Sequence, residues 1–508
     1  MTTDVCLVLE GTYPYVSGGV SSWTHDLIKE QPHLTFTLFC LVPPGFKTKM
    51  AYEVPGNVKE IVRVELQKLP KRLSKVGEKR KQKLMQDLIG PLLKLQTDPS
   101  LEDLEYLVTL LKEVGEIGRE VLTDSPEAFD LLCQMYEKTL NTSSFLDYFW
   151  SWRSLLGGLF SVLVCPLPRS RCYHALCTGY AGLFLARASL ESGRPCLLTE
   201  HGIYTNERRI EIGTAEWLDD RQSLNLNVDQ RAVRKSLRDF WIESFIGYSK
   251  LAYQVAESSI TLYEGNKELQ IEDGADPQRL KVIPNGIDYE AYSRIPRKQG
   301  GRPTVGFLGR VVPIKDLKTL IRACSFLKAA VPEALVWIMG PTEEDEAYFE
   351  ECKELVAHGG LEETVLFLGK VNIKEYLGKF DLLVLTSLSE AQPLVILEAG
   401  AVGVPSIATD VGSCSELLYG RPDEDPQLGP GGIVCPLASP SAIGEAMIKL
   451  LGEKELYEQC SRAIKARVDR YYRKELQNQA YRQMYDELLA MPDVDTLARV
   501  GARLPSEI

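Results

Sequence analysis

Two glutamates, Glu390 and Glu398, stand with seven residues between them in the stretch Ser387-Leu388-Ser389-Glu390-Ala391-Gln392-Pro393-Leu394-Val395-Ile396-Leu397-Glu398-Ala399. An apolar run, Leu382 to Leu385, precedes it as a buried strand, and a glycine-rich apolar tail, Gly400 to Pro405, follows. Pro393 suits the first turn of a helix, where its missing N–H costs nothing. Glu390 then lies in the loop before that helix and Glu398 within it. At about 1.5 Å rise per residue, the carboxylates are on the order of 10 Å apart along the axis. That is too far for a hydrogen-bonded acid–base dyad and wider than the carboxylate pair of a retaining glycosidase. The spacing fits the two ends of a long polar ligand laid across a helix N-terminus, whose N–H groups favour an anion such as a phosphate. A nucleotide-sugar has that shape. An ordinary amphipathic helix with two solvated glutamates fits the spacing equally well.

Cations bear on the choice. Arg310 and Lys315 lie in the loop after an apolar strand, Thr304 to Leu308. In a parallel sheet this is the same carboxyl edge that carries Glu390. Arginine grips two phosphate oxygens in a fork, and lysine adds a mobile point charge.

The N-terminal half has its own candidates. The strand Val5 to Leu9 empties into Glu10-Gly11-Thr12-Tyr13-Pro14-Tyr15-Val16-Ser17-Gly18-Gly19-Val20, ahead of an amphipathic helix from about Ser21 to Glu30. A strand, a glycine-rich loop and a helix start make an anion site in a doubly wound sheet; a tight turn is the alternative. The three spaced glycines of the dinucleotide fingerprint are missing. A second strand, Cys196 to Thr199, ends at Glu200 and His201, where open α/β sheets place ligands. A loop histidine held by hydrogen bonds is the plainer alternative. Cys165, Cys172, His174 and Cys177 cluster without a common zinc spacing, and Cys172 to Thr178 reads as a strand with alternating faces. Aspartates one residue apart, Asp423 with Asp425 and Asp493 with Asp495, lie in loop or tail sequence. No bound metal or cofactor is expected.

The elements that position these residues alternate strand and helix, twice. The chain has 508 residues, 44% hydrophobic and 25% charged, with net charge −12. That is globular composition with room for two or three cores, and it argues against general nucleic-acid binding. The start, Met1 to Glu10, lacks the basic region of a signal peptide, and twelve scattered cysteines fit a reducing cytoplasm. The expected domains are 1–285, with a mostly helical insertion at about 66–165, and 286–470. C-terminal helices over 471–508 are expected to pack back on the first domain. The insertion opens with a basic segment, Lys68 to Lys83, read as a solvated helix face. The C-terminal pattern, Ala442 to Leu450 and then Glu455 to Leu489, is helical.

The loop Ser17-Gly18-Gly19-Val20, the strand end Glu200-His201-Gly202, the segment Pro284-Asn285-Gly286-Ile287-Asp288, Gly309-Arg310 with Lys315, and the Glu390-to-Glu398 stretch occur in this order along nearly the whole chain. Together they resemble the retaining, nucleotide-sugar-dependent glycosyltransferases of family 4. Leu9 to Pro14 and Glu200 to Arg209 further resemble the cytosolic transferases of Pel exopolysaccharide synthesis.

The resemblance implies the α/β GT-B fold, two Rossmann-like doubly wound domains facing across a cleft. It implies a hexosyltransferase that uses a UDP-sugar as co-substrate, UDP-N-acetylhexosamine before UDP-glucose, with no cofactor. The implied roles follow the matching positions. Arg310 and Lys315 bind the diphosphate and stabilise the leaving nucleotide; Glu390 binds hydroxyls of the donor sugar, Pro393 and Leu394 belong to the substrate-binding set, and Glu398 binds the ribose. Gly18 and Gly19 bring backbone to the ligand, and His201 contacts the transferred sugar. The implied partners are a growing polysaccharide or other sugar acceptor and the inner-membrane Pel synthase components. The implied location is cytoplasmic, at the membrane face those partners provide. Tyr263 stands where many relatives have serine. A nucleotide-sugar-binding assembly subunit without turnover is the rival reading.

Overall fold

The computed structural model describes residues 2–46, 49–70, 76–115, 117–140, 143–214, 236–298 and 300–493. Of the basic segment, Lys71, Arg72 and Lys75 lie outside the described residues, as does Asp495. The chain divides into two compact units: Met1–Thr261 with Lys267–Lys281 and Arg482–Ile508, and Leu262–Asn266 with Val282–Tyr481. After a short first passage at Leu262–Asn266, the chain enters the second unit at Val282, four residues before the expected boundary, and returns at Arg482 instead of 471. The physical reason for the late return is a helix, Lys474–Ala490, that runs through the crossing point.

The first unit is built on seven strands: β1 (Thr3–Glu10), β2 (Phe36–Val42), β3 (Val58–Glu65), β4 (Ser170–Ala175), β5 (Cys196–Thr199), β6 (Ala256–Thr261) and β7 (Leu280–Val282), in the order β3-β2-β1-β4-β5-β6-β7. Pairing from β3 to β6 is parallel throughout. Parallel sheets are covered on both faces. This is why β4 is buried on both sides, with Cys172, Tyr173, His174 and Ala175 all inaccessible, where alternation was expected.

Between β3 and β4 lie the helices Glu78–Thr97, Leu101–Val114, Arg119–Leu122, Pro126–Thr139 and Phe145–Val164. Ser100 and Ser125 cap two of them by accepting from Asp103 N and Ala128 N. Their apolar faces, including Leu88, Leu104, Leu131, Trp152 and Phe160, join Phe39 and Phe184 in one core. Buried Arg187 ties the last helix down. It donates to Val162 O at 2.6 Å and Cys165 O at 2.8 Å, meeting carbonyls that a helix end leaves unpaired. Among the described residues, no helix is long and apolar enough to cross a membrane.

The second unit has six strands: β8 (Thr304–Leu308), β9 (Leu335–Met339), β10 (Val365–Gly369), β11 (Leu382–Leu385), β12 (Ser406–Thr409) and β13 (Gly432–Cys435). Their order is β10-β9-β8-β11-β12-β13, and all five pairings are parallel. Successive side chains alternate between two cores. Val305, Phe307, Leu382 and Val384 enter one, and Leu308, Leu383 and Leu385 enter the other. The helical stretch Glu455 to Leu489 consists of two helices, Lys454–Tyr471 and Lys474–Ala490. Between them Ile287 N donates to Tyr472 O at 2.9 Å and Lys474 N to Ile287 O at 2.9 Å, so a strand-like bridge replaces a helical turn.

Candidate functional site

In both sheets the strand order reverses beside the first strand, at β1/β4 and at β8/β11. Crossovers leave in opposite directions at such a point, which opens a crevice outside the carboxyl ends of the strands. The candidate residues follow those ends.

In the second unit, the loop after β8 tightens into a turn, Pro313–Lys315. Asp316 then takes a left-handed conformation (φ 44°) and caps the helix Leu317–Ala330 through Thr319 N. The loop after β11 is hydrogen-bonded to this turn: Leu388 N donates to Ile314 O at 2.8 Å and Thr386 Oγ1 to Lys315 O at 2.9 Å. Lys315 Nζ consequently reaches Glu390 Oε1 at 2.5 Å, and Ser387 Oγ donates to the same oxygen at 2.6 Å. The lysine and glutamate side chains keep 18% and 13% of their surface accessible. Gly412 (φ +54°) passes beneath this loop so closely that a Cβ there would stand 2.2 Å from Glu390 O. Ser413 N holds Ala391 O at 2.9 Å. The loop is therefore braced from two sides.

Pro393 is the residue that caps the helix Leu394–Val402, one position ahead of the first turn where it was expected. Its ψ of 105° is extended, and its carbonyl accepts from Ile396 N at 3.1 Å. Gln392 fixes the approach to that helix, accepting from Asn285 N at 2.7 Å and donating to Asn285 O at 3.2 Å. Leu394 is exposed. Glu398 accepts from Tyr292 Oη at 2.8 Å, and burial pushes its carboxyl above the usual carboxylate range. Arg310 does not join Lys315 and Glu390; it pairs with Glu344 at 2.7 Å, both half-exposed. Asp423 is held by both nitrogens of the Arg421 fork at 2.9 Å.

In the first unit, Gly18 caps the helix Gly19–Glu30. Gly18 has φ 170°, an extended value open to any residue, and a Cβ at either glycine would meet nothing within 4 Å. Nothing in the protein's own packing requires glycine at these positions. The same helix carries Trp23, which meets the His201 ring edge-on at 4.6 Å. His201 Nε2 is shielded from solvent and has no hydrogen-bond partner among the described residues, and burial lowers the imidazole to about 4, so it is neutral near pH 7.

Glu200 is fully buried among neutral donors. Gln270 Nε2 reaches it at 2.8 Å, and Tyr253 Oη and Thr178 Oγ1 also donate. Burial raises its carboxyl to about 6 against the pull of those hydrogen bonds. It is a structural residue, as is Glu10, which accepts from Tyr204 Oη at 2.8 Å and Ala181 N at 3.0 Å. The four members of the cysteine–histidine cluster separate. Cys165 meets Arg187, Cys177 meets Glu10, Cys172 lies in β4, and His174 lies between Tyr485 and Thr199 at 2.8 and 2.9 Å.

The family model described as Domain of unknown function (DUF3492) matches residues 3–278. The chain belongs to that family. The model for Glycosyl transferases group 1 matches residues 288–467, so the Lys315–Glu390 edge lies in a glycosyl transferase group 1 domain. N-acetyl-alpha-D-glucosaminyl L-malate synthase of Bacillus anthracis is 34% identical over 177 residues, 35% of this chain and 43% of that protein. The lipopolysaccharide core biosynthesis mannosyltransferase LpsB of Rhizobium meliloti is 29% identical over 235 residues, 46% of this chain and 64% of that protein. The chain spans less than half the length of the first curated relatives it matches.

Among solved structures, HepE of Anabaena in complex with UDP aligns with 95% of this chain and 100% of its own at TM-score 0.56 and 14% identity. Sucrose-phosphate synthase of Thermosynechococcus elongatus aligns over 96% and 99% at TM-score 0.57 and 16% identity. These likenesses, with the two parallel sheets, establish the GT-B fold.

Sequence reasoning did not reach Tyr292, Gln392 with Asn285, Ser387 or Glu344 as partners of the site residues. The Tyr292–Glu398 and Asn285–Gln392 pairs are 106 and 107 residues apart in the chain, and no local pattern signals such contacts.

Proposed function

We propose that this protein is a retaining, metal-independent glycosyltransferase that takes a UDP-sugar as donor and extends an exopolysaccharide of the Pel type. The observation that carries the reading is the Lys315–Glu390 contact at the β8/β11 switch point, directly ahead of the helix Leu394–Val402. A cation and a helix N-terminus at one place favour a diphosphate. In this reading Glu390 turns to the hydroxyls of the donor sugar, Glu398 holds the ribose, and Arg310 exchanges Glu344 for phosphate. The first unit takes the acceptor: Gly18 and Gly19 let backbone approach it, and His201 offers a neutral nitrogen.

UDP is favoured because HepE was solved with it. N-acetylhexosamine is favoured because the B. anthracis relative is named for N-acetylglucosaminyl transfer; UDP-glucose is the alternative. The Pel assignment rests on the likeness of Leu9 to Pro14 and Glu200 to Arg209 to PelF-type transferases. It brings with it a cytoplasmic location and inner-membrane Pel synthase components as partners.

The chemistry is a single exchange on one face of the sugar. The bond from C1 to the diphosphate oxygen breaks with its electron pair going to the phosphate, whose charge Lys315 and the helix N-terminus stabilise. The acceptor hydroxyl bonds to C1 from the same side and gives its proton to the departing phosphate oxygen. Neither Glu390, engaged by Lys315 and Ser387, nor Glu398, engaged by Tyr292, is presented as a nucleophile.

A thermal-shift screen of nucleotide-sugars tests the donor, because a ligand raises the melting temperature of the fold it binds. UDP-N-acetylhexosamines are expected to give the largest rise. A flat response to every UDP-sugar would overturn the reading. Nucleotide release with and without acceptor separates a transferase from a binding subunit that does not turn over.

A further inference from the structure

The short helix Tyr289–Ser293 sets a phenol against one of the donor-side acids. Tyr292 Oη lies 2.8 Å from Glu398 Oε1. Burial and the charge of Glu398 push the phenol well above its ordinary range, so it keeps its proton and is the donor. Burial drives Glu398 towards its neutral form, and the phenol and the Lys374 ammonium oppose that. Lys374 Nζ itself stands over the Tyr292 ring at 5.0 Å.

The phenol is held in place from outside this contact. Asp288 caps its helix by accepting from Ala291 N at 3.0 Å, and Ile295 N closes the far end on Tyr292 O at 3.0 Å. Arg473 covers the neighbouring Tyr289 ring at 4.7 Å. Among the described residues the hydroxyl has no partner besides Glu398. Packing alone would therefore be served by phenylalanine.

The contact commits only half of the carboxylate. Glu398 Oε2 has no hydrogen-bond partner among the described residues, and the side chain is half-buried, not sealed. A carboxylate oxygen can only accept, so what completes it carries donors, as a hydroxyl does. Glu398 follows Leu394 by four residues, so the two share one face of the helix Leu394–Val402. Leu394, at the N-terminal end of that face, is exposed.

We infer that Tyr292 is a positioning residue for the donor: it holds Glu398 Oε1 so that Oε2 meets the ribose hydroxyls. The inference rests on the donor reading and adds the residue that makes the site read the ribose.

Calorimetric titration of the full chain with UDP and with 2′,3′-dideoxy-UDP tests it. Tyr292→Phe should weaken UDP about tenfold, because a hydrogen bond to a charged group is lost. The same variant should bind dideoxy-UDP within about twofold of the parent, since that ligand offers Glu398 no hydroxyl. In a Glu398→Gln background Tyr292→Phe should add less than about twofold, as two residues acting through one contact do. Equal weakening of both ligands, additive effects of the two substitutions, or unchanged UDP binding in Tyr292→Phe overturns the inference and leaves the donor reading standing. A parent chain that binds neither ligand overturns the donor reading and the inference with it.

Discussion

At the carboxyl edge of the second sheet a lysine touches a glutamate, with an arginine–glutamate pair in the same loop system. At the same edge of the first sheet, the acids Glu10 and Glu200 are met by hydroxyls, an amide and backbone N–H groups. The two sheets share one winding, so topology does not account for the contrast. Residue type does. The second edge pairs cations with acids, Lys315 with Glu390 and Arg310 with Glu344, whereas Glu10 and Glu200 on the first are held by neutral donors.

Both units bury an acid with a cation, Glu191 with Arg187 at 2.6 Å in the first. In the second unit Glu424 is buried with a cation: Arg467 Nε and Nη2 reach it at 2.6 and 2.9 Å, and Arg467 also donates to Leu418 O at 2.9 Å and Gly429 O at 2.7 Å. Burial alone would push the Glu424 carboxyl up, but the guanidinium outweighs it and holds the group below its ordinary range. Removing one partner of such a pair strands the other. Arg467→Met should therefore destabilise the protein by about 3–5 kcal/mol. Equilibrium urea denaturation reads this directly, and a loss under 1 kcal/mol would mean that the ion pair is not buried as described.

At the edge itself, Lys315→Ala or Glu390→Ala should cost about 2–4 kcal/mol in the barrier to sugar transfer, roughly 30- to 1,000-fold in kcat. The melting temperature should stay near that of the parent. Near-parental turnover in either variant would remove the second edge from the chemistry and dissolve the contrast between the two.

Glu200 gives the first unit its counterpart. Its folded value of about 6 lies above the ordinary 4.5. Below about pH 4.5 both folded and unfolded states hold the proton. Between 4.5 and 6 the folded state holds more protons, so stability falls as pH rises. Above 6 the buried charge costs a constant amount, about 2 kcal/mol for a shift of this size. His201, lowered to about 4, acts in the opposite sense as pH falls through its unfolded value, so the parent curve alone is ambiguous. The difference between parent and Glu200→Gln isolates the acid. Relative to the parent, the variant should gain about 2 kcal/mol between pH 4.5 and pH 7. A pH-independent difference would mean that Glu200 ionises at its ordinary value.

Much of the architecture was legible before the structure, because apolar runs ending in glycine-rich or charged loops mark parallel strands and their carboxyl ends. This is how Lys315 and Glu390, 75 residues apart, could be assigned to one edge. The partners were not legible. Arg310 looked like a second phosphate cation because its position follows β8, but position does not reveal that Glu344, from the segment after β9, occupies it. The backbone partners between Tyr471 and Lys474 were not legible either, since they come from Ile287, far earlier in the chain. The covering of β4 on both faces erased the alternation expected for Cys172 to Thr178, because a central parallel strand has no wet side.

The Arg310–Glu344 pair also yields the smallest and most discriminating test of the donor edge. If Arg310 is to meet phosphate, the 2.7 Å contact with Glu344 must open first, and its strength is subtracted from donor binding. An exposed pair of this kind is worth at most about 1 kcal/mol. Glu344→Gln should therefore lower the donor KM by up to about fivefold, with kcat little changed, because the pair is broken in bound donor and transition state alike. The effect should shrink at high salt, where an exposed ion pair is already screened. A raised KM would show instead that Glu344 itself helps to hold the donor, and an unchanged KM at low salt would leave Lys315 as the cation on which the second edge depends.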